Sequence, residues 1–114
     1  MSLSTHGLDA ALGRPAAGVP VTLSRSIDGG WESLGGGMTD ADGRLRHFGG
    51  SDGELELRRG IYRLEFDTGS YFASTGQTGF YPQVSVAFQV NAADGHHHVP
   101  LLLSPFAYST YRGS

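Results

Sequence analysis

Short segments in which apolar and polar residues alternate run along most of the chain. The alternation is clearest over residues 83–90, where every second side chain is apolar and a strand would bury one of its faces. The apolar set is Val84, Val86, Phe88 and Val90, and the polar set is Gln83, Ser85 and Gln89. Comparable patterns predict about eight strands, at residues 2–8, 20–26, 31–34, 45–48, 61–67, 83–90, 97–103 and 107–111.

Glycine-rich turns separate these segments. Glycine accounts for 18 of the 114 residues, and Asp-Gly pairs, which are typical of tight hairpins, occur at 28–29, 42–43 and 94–95. This spacing of short strands and turns predicts an all-β protein folded as an antiparallel β-sandwich. Residues 49–53 are predicted to form a surface loop.

One short helix is predicted over residues 69–77. Asp67 or Thr68 can cap its N-terminus, because both side chains accept hydrogen bonds from the first free backbone N–H groups of a helix. We expect Tyr71 and Phe72 to pack from this helix onto a sheet.

Length and composition limit the architecture and exclude several classes of function. A chain of 114 residues predicts a single domain, 1–114, in which an elaborate pocket would need a second subunit. The absence of cysteine excludes disulfides, thiolate catalysis and cysteine-ligated metals. The net charge of -3 argues against nucleic acid as a partner, and no apolar run is long enough to cross a membrane. The sequence shows neither a secretory signal nor a Ser-Lys-Leu end, so we expect a cytoplasmic protein.

Three consecutive histidines, His96, His97 and His98, form the densest group of side chains that can carry out chemistry. On a strand, His96 and His98 share one face and His97 takes the other. Such a pair can bind zinc, but a catalytic zinc usually has three protein ligands, and only His6 or His47 remains among the histidines. We therefore predict no metal and no other cofactor. A solvated or core-edge imidazole is the alternative to a functional role for His98.

The end of the chain carries the most specific motif. Residues 96–103 read His-His-His-Val-Pro-Leu-Leu-Leu, and residues 111–114 read Tyr-Arg-Gly-Ser. This stretch resembles the C-terminal signature of 5-hydroxyisourate hydrolases, the enzymatic branch of the transthyretin-like family, in which a His-x-His-Val-Pro strand precedes a Tyr-Arg-Gly-Ser end. His97 stands where tyrosine is more usual in that family, and the departure lies on the face opposite His98.

The start of the chain matches the same family. Residues 3–9, Leu-Ser-Thr-His-Gly-Leu-Asp, resemble the family's opening strand, and His6 takes the place of its histidine. Gly7 replaces the usual branched aliphatic residue, which could loosen the strand by removing packing.

A third match lies in a turn. Residues 39–44, Thr-Asp-Ala-Asp-Gly-Arg, resemble the family's turn whose arginine binds the substrate, and this arginine maps onto Arg44. Arg46 has the same strand parity and could compete for the role. The structural alternative for Arg44 is a surface ion pair with Asp40 or Asp42, which would contribute little to stability.

The resemblance implies a fold and an activity. The fold is the transthyretin-like sandwich, with a prealbumin-like Greek key and one short helix. The activity is hydrolysis of 5-hydroxyisourate, a flat ring made by urate oxidation, to 2-oxo-4-hydroxy-4-carboxy-5-ureidoimidazoline, without a metal. The resemblance also implies a homotetramer, a dimer of dimers with the active sites at the dimer–dimer interface.

The resemblance further implies which residues act. Its catalytic residues map onto His6, Arg44, His98 and Ser114. His98, aided by Ser114, would deprotonate the attacking water, while His6 would position the water or assist proton transfer. Arg44 would hold the ring and its developing charge. The residues that contact the substrate would be His6, Arg44, Tyr111, Arg112, Gly113 and Ser114.

Two other functions are compatible with the same pattern. One is a transthyretin-type small-molecule binding protein without catalysis, and the other is a structural sandwich domain that serves protein contacts. At the level of single residues, Arg112 could meet an anionic substrate or pair with an acidic neighbour. Fold alone does not separate these functions, so the arrangement of the site residues has to decide.

Overall fold

The computed structural model describes residues 2–49, 57–91 and 95–113, and its elements follow the predicted order closely. The strands are β1 (Ser2–Asp9), β2 (Arg14–Pro15), β3 (Pro20–Ile27), β4 (Gly30–Met38), β5 (Arg44–Leu45), β6 (Gly60–Phe66), β7 (Val84–Val90), β8 (His96–Ser104) and β9 (Ala107–Thr110). The single helix among the described residues, α1, spans Thr68–Ser74 between β6 and β7. The predicted all-β sandwich with one short helix is therefore confirmed.

Two sheets form the sandwich. One has the order β2-β1-β8-β9 with β5 paired to β1, and the other has the order β4-β3-β6-β7. All the strand pairs described are antiparallel except β1 with β8, which run parallel. This parallel pair departs from the purely antiparallel arrangement expected from hairpin spacing, because β1 and β8 come from opposite ends of the chain and are not joined by a hairpin.

Three details of the strand prediction were wrong. Strand β2 has two residues and no alternation to reveal it. Strand β5 ends at Leu45 instead of continuing through residue 48, although Phe48 still reaches the core. Strand β4 continues to Met38 through three glycines, which the alternation rule does not recognise as strand. Most of the predicted surface loop at 49–53 and most of the turn at 93–95 lie outside the described residues.

The core lies between the two sheets and confirms the alternation read from β7. Val84, Val86 and Val90 are buried, whereas Ser85 and Gln89 are exposed. Residues His97, Val99, Leu101 and Leu103 of β8 form the matching buried row on the opposite sheet. The intervening positions of β8 are consequently directed to the outer face of that sheet.

Helix α1 is joined to the end of β1 by a side-chain hydrogen bond. Asp67 caps the helix by accepting a hydrogen bond from the Ser70 backbone N–H at 3.0 Å. Tyr71 and Phe72 are buried as predicted, and the Tyr71 hydroxyl donates to the Asp9 carboxylate at 2.7 Å. Since Asp9 is the last residue of β1, this contact fixes the strand that carries His6.

Candidate active site

The outer face of the β1–β8 sheet brings together side chains from three strands. Parallel pairing places Ser4 beside His98 and His6 beside Pro100. Antiparallel pairing on the other side of β1 places Arg44 beside His6. Paired residues on adjacent strands, roughly 4.8 Å apart, direct their side chains to the same face. His6, Arg44 and His98 therefore meet on one face, although they come from distant parts of the sequence.

The turn before β5 holds Arg44 against β1. The Asp40 carboxylate accepts hydrogen bonds from the backbone N–H groups of Asp42 and Arg44, each at 2.9 Å. Gly43 adopts a φ of 79°, which favours glycine, and its carbonyl accepts a hydrogen bond from the Gly7 N–H at 2.7 Å. The Asp-Ala-Asp-Gly turn thus closes on itself and docks directly beside His6.

The side chain of Arg44 is exposed and has no carboxylate within ion-pair distance among the described residues. The Asp40 carboxylate is instead bound to the backbone of its own turn, and the hydrogen bond from the Arg44 N–H is the main reason why the pKa of Asp40 lies below its usual value. The surface ion pair considered as the alternative for Arg44 is absent from this part of the structure. Arg44 and Arg46 line the same surface groove, but only Arg44 is paired with His6 on the sheet.

The ring of His6 has a defined orientation. Its Nε2 lies 2.9 Å from the Asp42 carbonyl oxygen, and because a carbonyl can only accept, Nε2 carries the proton in this hydrogen bond. The neutral ring then has its lone pair on Nδ1. The turn that places Arg44 consequently also sets the tautomer of His6.

Two residues contact opposite edges of the His98 ring. Ser4 Oγ lies 2.7 Å from Nδ1 on one edge. On the other edge, a Cβ added to Gly113 would lie only 2.4 Å from His98 Cδ2, so the glycine backbone is in direct contact with the ring. Among the described residues, only Ser4 makes a side-chain hydrogen bond to the His98 ring, and it does so at Nδ1. The Cε1–Nε2 end of the imidazole is therefore left for other contacts.

The segment after β9 reaches His98 by continuing the β8–β9 register. The Gly113 N–H donates to the His98 carbonyl at 2.9 Å in an antiparallel bridge. Tyr111 and Arg112 are exposed, and both line a cavity of about 280 Å³ together with His98. Ser114, the remaining catalytic residue predicted from the sequence, lies outside the described residues.

The environment of His98 favours its neutral form. Partial burial lowers the pKa of His98 below the ordinary histidine value of 6.5. The charges of His96, Arg44 and His6 lower it further. A neutral imidazole at cellular pH is the form that can accept a proton.

We expect the His98 ring to titrate below pH 6.5. A lowered pKa keeps the ring neutral to a more acidic pH than in an unfolded chain, because burial and neighbouring positive charge both oppose protonation. NMR spectra of the histidine ring protons, recorded over a pH series and assigned with a His98→Gln variant, would measure this. A midpoint at or above the ordinary value would contradict the arrangement described for His98.

Ser4 adjoins the candidate site but was not singled out from the sequence, and His96 was recognised only as sharing a strand face with His98. Ser4 Oγ lies 2.7 Å from both His98 Nδ1 and His96 Nε2. The two-residue spacing of Ser4 and His6 indicates that they share one face of a strand. Which side chains of another strand lie beside them depends on the pairing of β1 with β8.

Over the described residues, no group of three His, Cys, Asp or Glu side chains is arranged to hold a metal ion.

Comparison with known proteins identifies the family of this chain. The model of the HIUase/Transthyretin family matches residues 3–113. The chain belongs to this family. A relative within it, 5-hydroxyisourate hydrolase from Caulobacter vibrioides, is 47% identical over 116 residues that cover 98% of this chain and 97% of the relative.

Two solved structures of the HIUase/Transthyretin family show why the site has to be considered separately from the fold. The structure of Klebsiella pneumoniae 5-hydroxyisourate hydrolase matches with a TM-score of 0.84 at 38% identity, covering 100% of both chains. Sparus aurata transthyretin matches with a TM-score of 0.87 at 37% identity, covering 97% of this chain and 95% of that one. The fold resembles both to a similar extent, so the choice between them depends on the residues of the outer face.

Proposed function

We propose that this protein hydrolyses 5-hydroxyisourate to 2-oxo-4-hydroxy-4-carboxy-5-ureidoimidazoline in urate catabolism. The observation that carries the proposal is the convergence of His6, Arg44 and His98 on one face of the β1–β8 sheet. The similarity to named 5-hydroxyisourate hydrolases over nearly the whole chain supports it. We assign the reaction to hydrolysis of a cyclic amide-type bond in the cytoplasm.

The reaction needs an activated water and a group that stabilises the tetrahedral oxyanion. A neutral His98, held by Ser4 at Nδ1, accepts the proton of the attacking water at Nε2 and returns a proton to the ring nitrogen when the carbon–nitrogen bond breaks. His6 positions the water or assists this proton transfer through Nδ1, which makes no hydrogen bond within the described part of the chain. Ser114 adds a hydroxyl that binds the water or the substrate.

Arg44 is suited to the flat, oxygen-rich substrate. Its guanidinium is planar and always charged, so it can donate two parallel hydrogen bonds to a ring and stabilise charge that develops on a carbonyl oxygen. Tyr111 and Arg112 line a cavity beside His98, and Gly113 pairs with His98, so we assign these three residues to substrate contacts on that side of the ring. The absence of a carboxylate partner for Arg44 among the described residues favours a role in binding an external group.

We further propose that the protein acts as a homotetramer, a dimer of dimers. Strand β9 is the edge strand of its sheet, and all of its residues are exposed. Phe80 and Phe106 are 68% and 72% exposed, which is unusual for large apolar side chains and suits a surface that another subunit covers. By contrast, Tyr71 and Phe72 belong to the core.

The proposed activity is tested by generating 5-hydroxyisourate in place from urate with a separate oxidase and following its ultraviolet decay. We expect the protein to accelerate the decay. An Arg44→Lys variant should be about 10-fold to 100-fold slower, because losing a bidentate hydrogen bond from a charged group costs roughly 1.5–3 kcal/mol. Arg46→Lys is the matched control and should retain the parent rate.

The outcomes separate the competing functions. Failure of the well-folded parent to accelerate the decay would refute the hydrolase and make transthyretin-type ligand binding the leading function. Equal losses in the Arg44 and Arg46 variants would show that the groove as a whole, and not the residue paired with His6, binds the substrate.

A further inference from the structure

A continuous row of hydrogen bonds links four side chains on the outer face of the β1–β8 sheet. Ser2 Oγ lies 2.5 Å from His96 Nδ1, and His96 Nε2 lies 2.7 Å from Ser4 Oγ. Ser4 Oγ in turn lies 2.7 Å from His98 Nδ1. Hydroxyls from β1 therefore alternate with imidazoles from β8, as the parallel pairing of Ser2 with His96 and Ser4 with His98 requires.

The row joins a half-buried imidazole to an exposed one. Ser4 is 6% exposed, and His98 is half-buried. His96 is exposed at the other end, and its ring stacks against that of His98 with centroids 6.3 Å apart. A proton that enters at His98 can thus reach the surface through groups that are already hydrogen-bonded.

We propose that Ser4 and His96 form a proton relay with His98, in which Ser4 is the bridge and His96 is the proton acceptor at the solvent end. This inference rests on the proposed function, because it assigns the proton of the attacking water a route away from His98. Ser4 and His96 are positioning residues in this scheme, since they act on the substrate only through His98.

The single proton of the Ser4 hydroxyl couples the two histidines. When both rings are neutral, Ser4 donates to one imidazole nitrogen and accepts from the other, so one of the two facing nitrogens carries a proton and the other does not. The tautomer with a free Nε2 on His98 has its proton on Nδ1, directed at Ser4. That state is the one in which His98 can act as a base.

The transfer conserves every proton and needs no other reactant. His98 Nε2 takes a proton from water as the hydroxide oxygen bonds to the substrate carbonyl carbon. His98 Nδ1 passes its proton to Ser4 Oγ, whose own proton moves to His96 Nε2. The positive charge then resides on His96, which is exposed, and the reverse transfer returns a proton for the departing ring nitrogen.

Other charged groups face the same ring and would respond to this transfer. Arg44 on β5 and His6 on β1 both act on His98 electrostatically, and Tyr111 and Arg112 line the cavity beside it. Since Arg44 always carries a positive charge, a proton held on His98 is unfavourable. The hydrogen-bonded row gives that proton a route away from Arg44, toward the exposed ring of His96.

The test compares Ser4→Ala with Ser4→Thr, and His96→Gln with the parent. Ser4→Ala should lower kcat by about 100-fold, the lower limit of what a positioned acid–base group contributes, and leave KM within about twofold. Ser4→Thr retains the hydroxyl and should restore most of the rate. His96→Gln can keep a hydrogen bond to Ser4 but cannot take up the proton, so we expect it to lose kcat as well and to shift the pH profile.

Two readouts distinguish a relay from simple support of the fold. The parent should show a solvent deuterium isotope effect whose dependence on deuterium content is curved, which indicates several protons in transit, and Ser4→Ala and His96→Gln should make it linear. Parent-like kcat and curvature in His96→Gln would overturn the relay. Because His96 is exposed, this variant is expected to fold even if Ser4→Ala does not.

Failure of the relay and failure of the proposed function remain distinguishable. NMR spectra of the ring nitrogens should show the proton of neutral His98 on Nδ1 in the parent, directed at Ser4, and Ser4→Ala should change this tautomer, whether or not the protein hydrolyses 5-hydroxyisourate. The Nδ1–H tautomer without hydrolysis would refute the function alone. Hydrolysis by a parent whose neutral His98 carries its proton on Nε2 would refute the relay alone.

Discussion

Replacing His98 with glutamine should slow the hydrolysis of 5-hydroxyisourate by about 100-fold to 10,000-fold, the contribution typical of a positioned acid–base group. Glutamine keeps much of the volume and one hydrogen-bonding group near Ser4, but it cannot accept a proton at cellular pH. The loss should therefore appear in kcat, measured from the ultraviolet decay of substrate generated in place. The fold should persist, since His98 lies on the outer face of the sheet and not in the core.

The matched control is His47→Gln. His47 is an exposed histidine beyond the end of β5, so the same chemical change there should leave the rate close to that of the parent. Activity of His98→Gln within a few-fold of the parent would remove His98 from the role of base. The next candidate would then be His6, whose Nδ1 is available while Nε2 is bound to the Asp42 carbonyl.

Gly113→Ala should cost about 100-fold in activity with little change in the free energy of unfolding. The added methyl group would lie 2.4 Å from His98 Cδ2, closer than carbon atoms can approach, and 3.1 Å from Cγ, which is a tight contact. The ring cannot move away freely, because Ser4 holds its other edge at 2.7 Å. Either the imidazole rotates or the segment at 111–113 shifts, and a displacement of about 1 Å at a reacting group can cost this much.

The experiment separates a local displacement from general destabilisation. Gly30→Ala is the control, since a Cβ at Gly30 meets no atom within 4 Å and should leave both activity and stability unchanged. Rates are compared with the midpoints of urea denaturation. A Gly113→Ala protein with the activity of the parent would show that the contact between Gly113 and His98 does not position the ring.

The role of Gly113 illustrates a limit of motif analysis. From the sequence, Gly113 belongs to a Tyr-Arg-Gly-Ser end that lines the site, with no reason for glycine in particular. The structure supplies that reason, because any side chain would meet the His98 ring. The contact joins β8 to the segment after β9, and its register is fixed by the β8–β9 hairpin rather than by His98 and Gly113 themselves.

Local patterns were sufficient for most of the secondary structure. Alternation in β7 and the Asp67 cap of α1 act over a few residues, so the sequence expresses them directly. Strand β2 was missed because two residues are too few to show a period. Strand β5 was predicted too long because residues 46–48 continue the chain toward the core without pairing as strand.

The sequence by itself determined most of the strands, the helix and the exclusion of thiol chemistry. It also predicted His6, Arg44 and His98 as site residues through motifs, each of which is local. Only the tertiary structure decided that the parallel β1–β8 pairing and the docked turn place these residues on one face, and that Ser4 joins His98 to His96. The physical reason is that strand pairing depends on contacts between distant segments, and those contacts minimise the free energy of the whole chain rather than of any one segment.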